Sequence, residues 1–200
     1  MNSVYQTICT RRSVRRFQQK TVPTNLLEDI LNAGRLAPSG SNLQPCEFIV
    51  IDNKQLVRTI FPWLKWAAYI SPQGNPKRGE EPVVYVVVLI NLLKKRKGGE
   101  ADAAASIQNM LNTAWGYGIG SCWLASMNKN KIKKSLKIPH HFKLMAIIAF
   151  GYPKEQPVLE DAGASIKYWK DNKGTLHVPK RKLSEICHQN GYKKNLTWKT

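Results

Sequence analysis

Apolar residues recur at helical spacing in two stretches of the chain. Leu26, Leu27, Ile30, Leu31 and Ala33 make one face after Pro23, so a helix starts at Thr24 or Asn25. Asn25 with Glu28 three positions on fits a capping box in which Asn replaces Ser or Thr. Ala103, Ile107, Met110, Leu111 and Ala114 repeat across Asp102–Trp115, the strongest helical pattern, with Gly116 as its stop. Leu56, Ile60 and Leu64 predict a further helix, with Trp63 and Trp66 adding apolar surface, and Lys129–Leu136 a short basic one ended before Pro139. Short apolar runs predict strands at Phe48–Ile51, Val83–Leu89, Ile119–Leu124 and Leu144–Phe150. Val83–Leu89 is apolar throughout, as in a central strand covered on both faces.

Between these elements, Ala37–Pro45 is rich in turn formers and reads as a loop. Ser71–Pro82 contains three prolines and two glycines and reads as a loop or lid, and Lys94–Gly99 as a basic turn. Beyond Gly151 the chain is Pro-rich, polar and basic, an extension without a second core. Strands alternating with helices place the chain in the mixed α and β class (α+β). The expected organisation is one domain over residues 1–200, with a core at about 4–153 and an extension at about 154–200. The longest apolar run, Val83–Ile90 extended to Leu93, is about half of the ~20 residues of a membrane span.

Charge changes the picture. The formal net charge is +18. Residues 129–200 hold 16 basic and 5 acidic side chains, a net of +11, and the first 128 residues a net of +7. Such a field attracts phosphates, nucleotides, nucleic acid or acidic membranes, although most of these charges read as solvated surface. Cys9, Cys46, Cys122 and Cys187 form no CxxC pair and no zinc spacing, and Met1–Arg16 lacks the apolar stretch of a secretory signal. Reduced thiols in a cytoplasm are the expectation.

Gly116-Tyr117-Gly118-Ile119-Gly120 imitates a dinucleotide fingerprint but follows a helix and opens a strand, the reverse of the required order. It reads as a helix stop and tight turn. His140, His141, His177 and His188 lack metal spacing, Ser39 and Ser41 lack a nucleophile elbow, and Glu80-Glu81 reads as solvated. Three clusters carry more. Arg11, Arg12 and Ser13 supply two guanidinium forks and a hydroxyl, a good set for a phosphate. Ser39, Gly40, Ser41 and Asn42 supply backbone amides and an amide side chain that can approach a flat polar ring or a polyol. Lys180, Arg181 and Lys182 add charge against the same phosphate.

Together the motifs RRSVRRF (residues 11–17), APSGSNLQP (37–45), GYGIGSCWLAS (116–126), AFGYP (149–153) and PKRKLSEI (179–186) make the chain resemble the flavin-dependent nitroreductase family from about residue 5 to 188. The resemblance implies a nitroreductase-like fold: a central, mostly antiparallel sheet flanked by helices, in an intertwined homodimer whose final segment reaches across the partner. It implies FMN at the dimer interface. Arg11, Arg12 and Ser13, helped by Arg15, should hold the phosphate and ribityl chain. Pro38, Ser39, Gly40 and Asn42 of the second chain, with Gln44 nearby, should lie against the flavin ring. Trp123, Leu124, Ala125 and Ser126 should pass along its other side, with the Ala125 N–H pointing at N5. Lys180 and Lys182, or Arg181 with one of them, should complete the phosphate site.

The implied activity is hydride transfer from NADH or NADPH through flavin N5 to a nitroaromatic, quinone or enone by a two-step exchange. The hard chemistry belongs to the cofactor, so no acid, base or nucleophile side chain is required. A specialised flavin enzyme of the same superfamily (a dehalogenase, a heterocycle dehydrogenase or a flavin consumer) is an alternative. A basic nucleic-acid-binding module is another, but aromatics are not interleaved with the basic runs. The family often has an aromatic residue where this chain has Cys46, and the Tyr69–Pro82 loop follows no family pattern. Trp63, Trp66 and Tyr69 are candidates to line a substrate pocket, with core packing the equal alternative for the two tryptophans.

Overall fold

A computed structural model describes residues 3–197; the ends of the expected 1–200 unit, residues 1–2 and 198–200, lie outside the described residues. Four strands form the main sheet: β1 (Cys46–Ile51), β2 (Val84–Asn91), β3 (Gly120–Leu124) and β4 (Phe142–Gly151). Their order is β1-β2-β4-β3, every pair antiparallel. β2 and β4 are therefore central, and β1 and β3 are the edges. The register continues straight across the sheet, through Ile49, Val87, Ile147 and Leu124.

Strand periodicity divides the core into two layers. On one face Tyr85, Val87, Leu89, Cys122, Ile147 and Ala149 pack with Val14 and Phe17 and with Val57 and Ile60 of α3 (Lys54–Ile60). On the other, Val84, Val86, Val88, Ala146, Ile148 and Phe150 pack against α2 (Thr24–Arg35) and α4 (Gly99–Gly116). All of β2 except Asn91 is buried, as its unbroken apolar run predicts.

Two local expectations fail for identifiable reasons. Extended Pro23 is the N-cap of α2, and no side chain caps the helix. Asn25 thus lies inside the first turn, and the Asn25–Glu28 capping box does not form. Leu64 does not continue α3: Pro62 turns the chain into a 3-10 segment at Phe61–Trp63, after which Leu64 is extended and bridges Met127. Asn53 caps α3 instead, its side chain accepting the Leu56 N–H at 3.0 Å.

The N-terminal segment after α1 (Ser3–Thr10) crosses the β3 edge. Ser13 bridges Ser121, Phe17 bridges Pro153, and the Phe17 N–H donates to Glu80 O at 3.0 Å. The crossing needs Gly120 and Gly151, which pair in the ladder: a Cβ at Gly120 would lie 3.0 Å from Val14, and one at Gly151 3.0 Å from the Phe17 ring. Glu80 is not solvated; its side chain is 13% exposed between Arg16 and Lys154, at 3.5 and 3.3 Å. After β4, residues β5 (Val158–Asp161), β6 (Trp169–Lys170) and β7 (Leu176–Lys180) form a small sheet ordered β5-β7-β6, followed by α6 (Leu183–Ile186). Its buried side chains are Leu176 and Pro179, both on β7. The short basic helix expected before Pro139 is α5 (Lys129–Ser135). Among the described residues no helix is long and apolar enough to cross a membrane.

Candidate functional site

The arginine cluster lies where the N-terminal segment meets β3. Arg12 is 8% exposed and is spent on the end of α1: its guanidinium donates to Cys9 O at 2.7 Å and to Arg11 O. Arg11 and Ser13, by contrast, are half-buried, and their side chains make no hydrogen bond or ion pair among the described residues. Desolvation, then the charge of Arg12, lowers the Arg11 pKa, with Cys122 acting in the opposite sense. A guanidinium held beside a like charge with no carboxylate of its own is suited to an anionic ligand. Arg15 is anchored through its backbone N–H to Glu155 Oε1 at 2.6 Å, and its guanidinium lies 5.0 Å from the Tyr168 ring centroid. Its Nε is buried and unpartnered.

The Ser13–Ser121 bridge joins this cluster to β3, which leads into the Trp123–Ser126 stretch. Leu124 is the last ladder residue and is buried; Ala125 and Ser126 follow it into the open. The Ser126 carbonyl accepts the Lys65 N–H at 3.0 Å, which fixes the exit of the stretch. Trp63, Lys65, Met127, Lys129 and Lys131 line an adjoining recess of about 630 Å³. Trp63 is thus at a surface recess, Trp66 is buried in the core, and exposed Tyr69 packs on Tyr168 with ring centroids 5.0 Å apart.

The Pro38–Gln44 loop stands elsewhere, between α2 and β1. Ser39 Oγ accepts the Gln44 N–H at 2.9 Å, and the Gly40 N–H reaches Asp102 Oδ1 at 3.0 Å. Ser41, Asn42 and Gln44 all have positive φ, at 52°, 54° and 47°. Pro38, Ser39, Gln44, Cys46, Arg35 and Asp102 border a cavity of about 500 Å³ under the loop. Burial pushes the Cys46 thiol up; the Ser106 hydroxyl and Lys95 act against it and Asp102 with it. The Cys122 thiol, fully buried on β3, is also raised, first by desolvation.

In the tail, Arg181 is turned onto Glu185, with Nη2 donating to its carbonyl at 2.8 Å and Nε 3.4 Å from Oε2. Lys180 and Lys182 are exposed and carry no ion pair. The tail sheet is tied to the arginine segment through Glu155, whose carboxylate lies 3.7 Å from Lys170 Nζ. The structure therefore joins Arg11, Ser13 and Arg15 to Trp123–Ser126, and keeps Pro38–Gln44 apart. The loop leads into edge strand β1 and the arginine segment flanks edge strand β3, three strand spacings or about 14 Å across the sheet. They also meet opposite ends of α4. Gly40 bonds Asp102 in its first turn, and Thr10 Oγ1 accepts from Trp115 Nε1 in its last.

Sequence reasoning missed Asp102, Ser106 and Asn109, a polar stripe at i, i+4 and i+7 on α4. Ser106 Oγ donates to Gly34 O at 2.6 Å and Asn109 Nδ2 to Ala33 O at 3.1 Å. Helical spacing signals the stripe; its backbone partners leave no mark in the sequence.

A provisionally named NADH dehydrogenase/NAD(P)H nitroreductase of Methanothermobacter thermautotrophicus is 30% identical over 163 residues, covering 79% of this chain and 81% of that one. A crystal structure of a similarly named protein from Parabacteroides distasonis superposes with a TM-score of 0.72 at 25% identity, covering 96% of this chain and 100% of that one. A nitroreductase from Desulfovibrio desulfuricans, crystallised in complex with FMN, gives 0.68 at 28% identity, over 82% of this chain and 94% of that one. The Nitroreductase family profile matches residues 8–152, which include the arginine segment, the Pro38–Gln44 loop and the whole four-stranded sheet, and the chain belongs to that family.

Proposed function

We propose that this chain is an FMN-dependent oxidoreductase that works as a homodimer, with NADH or NADPH as donor and a nitroaromatic, quinone or enone as acceptor. The observation that carries this reading is the separation of the two ring-binding elements. Contact on both faces of a planar ring needs about 7–8 Å between the contacting groups. The strands that lead from the Pro38–Gln44 loop and into the Trp123–Ser126 stretch of one chain are opposite edges of the sheet, about 14 Å apart by strand spacing. A second copy, presenting its loop to the first copy's stretch, closes the gap. Exposed Tyr5 and Ile8 on α1, Leu36 and Leu43 beside the loop, and Leu183 and Ile186 in the tail supply apolar surface for such an interface.

FMN, when bound, takes up a hydride at N5 and passes it on; the protein binds and orients it. Arg11 and Ser13, with Lys180 and Lys182 of the tail, would hold the phosphate by charge-assisted hydrogen bonds. The Ala125 N–H would serve the N5 edge as a fixed donor that needs no reorganisation. Donor and acceptor then use one exposed ring face in turn, and the net charge of +18 favours the anionic nicotinamide cofactors.

The test is the visible spectrum of the purified protein before and after NADH or NADPH, with mass spectrometry of the released chromophore and sizing by light scattering. A yellow dimer that releases FMN, bleaches with the donor and gives parallel double-reciprocal plots is expected. A colourless protein that takes up no FMN overturns the reading, and intersecting plots overturn the shared face.

A further inference from the structure

We propose that Asp102, clamped by Lys95, is a positioning residue that sets the Pro38–Gln44 loop in the shape in which it meets its ligand, an inference that rests on the flavin reading above. Asp102 lies in the first turn of α4 and is 7% exposed. Both of its oxygens are used: Oδ1 accepts the Gly40 N–H at 3.0 Å, and Oδ2 receives Lys95 Nζ at 2.7 Å. Desolvation opposes ionisation, but Lys95 and the Gly40 N–H outweigh it and hold the carboxyl below its usual range. It therefore stays ionised at neutral pH.

The loop needs an external tether. Left-handed conformations at non-glycine residues persist only where their surroundings over-determine them. Ser41, Asn42 and Gln44 all adopt one. Within the loop, Ser39 O accepts the Asn42 N–H at 2.9 Å, Gly40 O the Leu43 N–H at 3.2 Å and Ser39 Oγ the Gln44 N–H. These bonds shape the turn but do not place it on the body of the protein. The Gly40–Asp102 bond does, one residue before the first positive φ at Ser41. Lys95 Nζ lies close over the loop backbone as well, 2.8 Å from where a Cβ at position 40 would stand. The carboxylate and the ammonium form one device. Cofactor contacts made by Ser39 and Asn42 would be placed through it.

The experiment compares Asp102→Ala with Asn109→Ala, which cuts a tether from the same helix to Ala33, away from the loop. The neutral pair Asp102→Asn/Lys95→Gln keeps an acceptor for Gly40 without an unpaired charge. Hydrogen exchange of residues 36–45 is read in protein without flavin, and FMN affinity by fluorescence quenching. In Asp102→Ala, exchange of 36–45 should rise and FMN should bind about tenfold more weakly, the loss expected for one charge-assisted hydrogen bond. Asn109→Ala should lower the melting temperature while leaving both readouts within about twofold. The neutral pair should recover most of the affinity. Unchanged exchange in Asp102→Ala overturns the tether, and raised exchange with unchanged FMN affinity overturns its positioning role. If Asp102→Ala fails to fold, unprotected 36–45 in the neutral pair overturns the tether. If the wild type binds no FMN, the functional reading falls, and the exchange contrast alone decides for or against the tether.

Discussion

Gly151→Ala should destabilise the protein through a single close contact. The new Cβ would stand 3.0 Å from Phe17 Cδ1, 3.2 Å from its Cβ and 3.3 Å from its Cγ. Phe17 has nowhere to go. It is fully buried, its N–H is bonded to Glu80 O, and it bridges Pro153. Overpacking of this kind costs about 1–3 kcal/mol. At about 2 kcal/mol, and with 2–4 °C lost per kcal/mol in a chain of this size, the melting temperature should fall by roughly 4–8 °C. The assay is urea unfolding followed by fluorescence and by circular dichroism, for Gly151→Ala, Phe17→Ala and the double variant. Ala removes Cγ and Cδ1, two of the three atoms that the methyl meets, so Gly151→Ala should cost at least about 1 kcal/mol less in the Phe17→Ala background. The same segment carries Arg11, Ser13 and Arg15, so FMN affinity should fall with it. A Gly151→Ala protein within about 0.5 kcal/mol of the wild type, or costs that simply add, would refute the reasoning.

Three further outcomes are expected. The Tyr85 hydroxyl is buried without a partner, and burial, then Glu81 and Cys122, pushes its pKa up, so Tyr85→Phe should raise stability by about 1 kcal/mol in urea unfolding; a loss of that size would show that the hydroxyl has a partner. His177 lies 2.9 Å from Glu160 and 3.5 Å from Asp171, and Glu160 is the first cause of its raised pKa. Its contribution to the tail sheet should be complete below the unfolded value of about 6.5 and fade as pH rises through the folded value, so protection factors of residues 158–180, referred to intrinsic exchange at each pH, should fall across that window in the wild type but not in His177→Gln. Lys182→Gln should weaken FMN binding several-fold while Arg181→Gln, whose guanidinium is engaged by Glu185, should change it less than twofold; titration of the apoprotein with FMN reads the difference.

How much was legible follows the range of the interactions. The long helix α4 and the strand β2 were readable because each is specified by its own periodicity and buried apolar residues. The Gly116–Gly120 turn was readable for a similar local reason: Gly118 adopts φ 71° after a helix end. The capping box failed because Pro23, already extended, took the cap position ahead of Asn25. Glu80 was misread as solvated because both of its cations, Arg16 and Lys154, come from distant parts of the chain. The tail strands are not legible because a sheet whose buried side chains are Leu176 and Pro179 leaves little hydrophobic pattern.

The site divides in the same way. Motif order placed the arginine segment, the small-residue loop, the Trp123–Ser126 stretch and the basic tail on the chain by residue type, with no geometry required. Only the tertiary structure separated Arg11 from Arg12, neighbours of identical chemistry. Carbonyls at the end of α1 claim one guanidinium and leave the other beside it uncompensated. Only the tertiary structure put the loop and the stretch at opposite edges of one sheet, because strand order is decided by which faces pack together. The sequence by itself determined which groups could bind an anion and a flat ring. Which of them are free to do so, and how far apart they stand, depended on long-range packing and on backbone partners that carry no residue-specific signal.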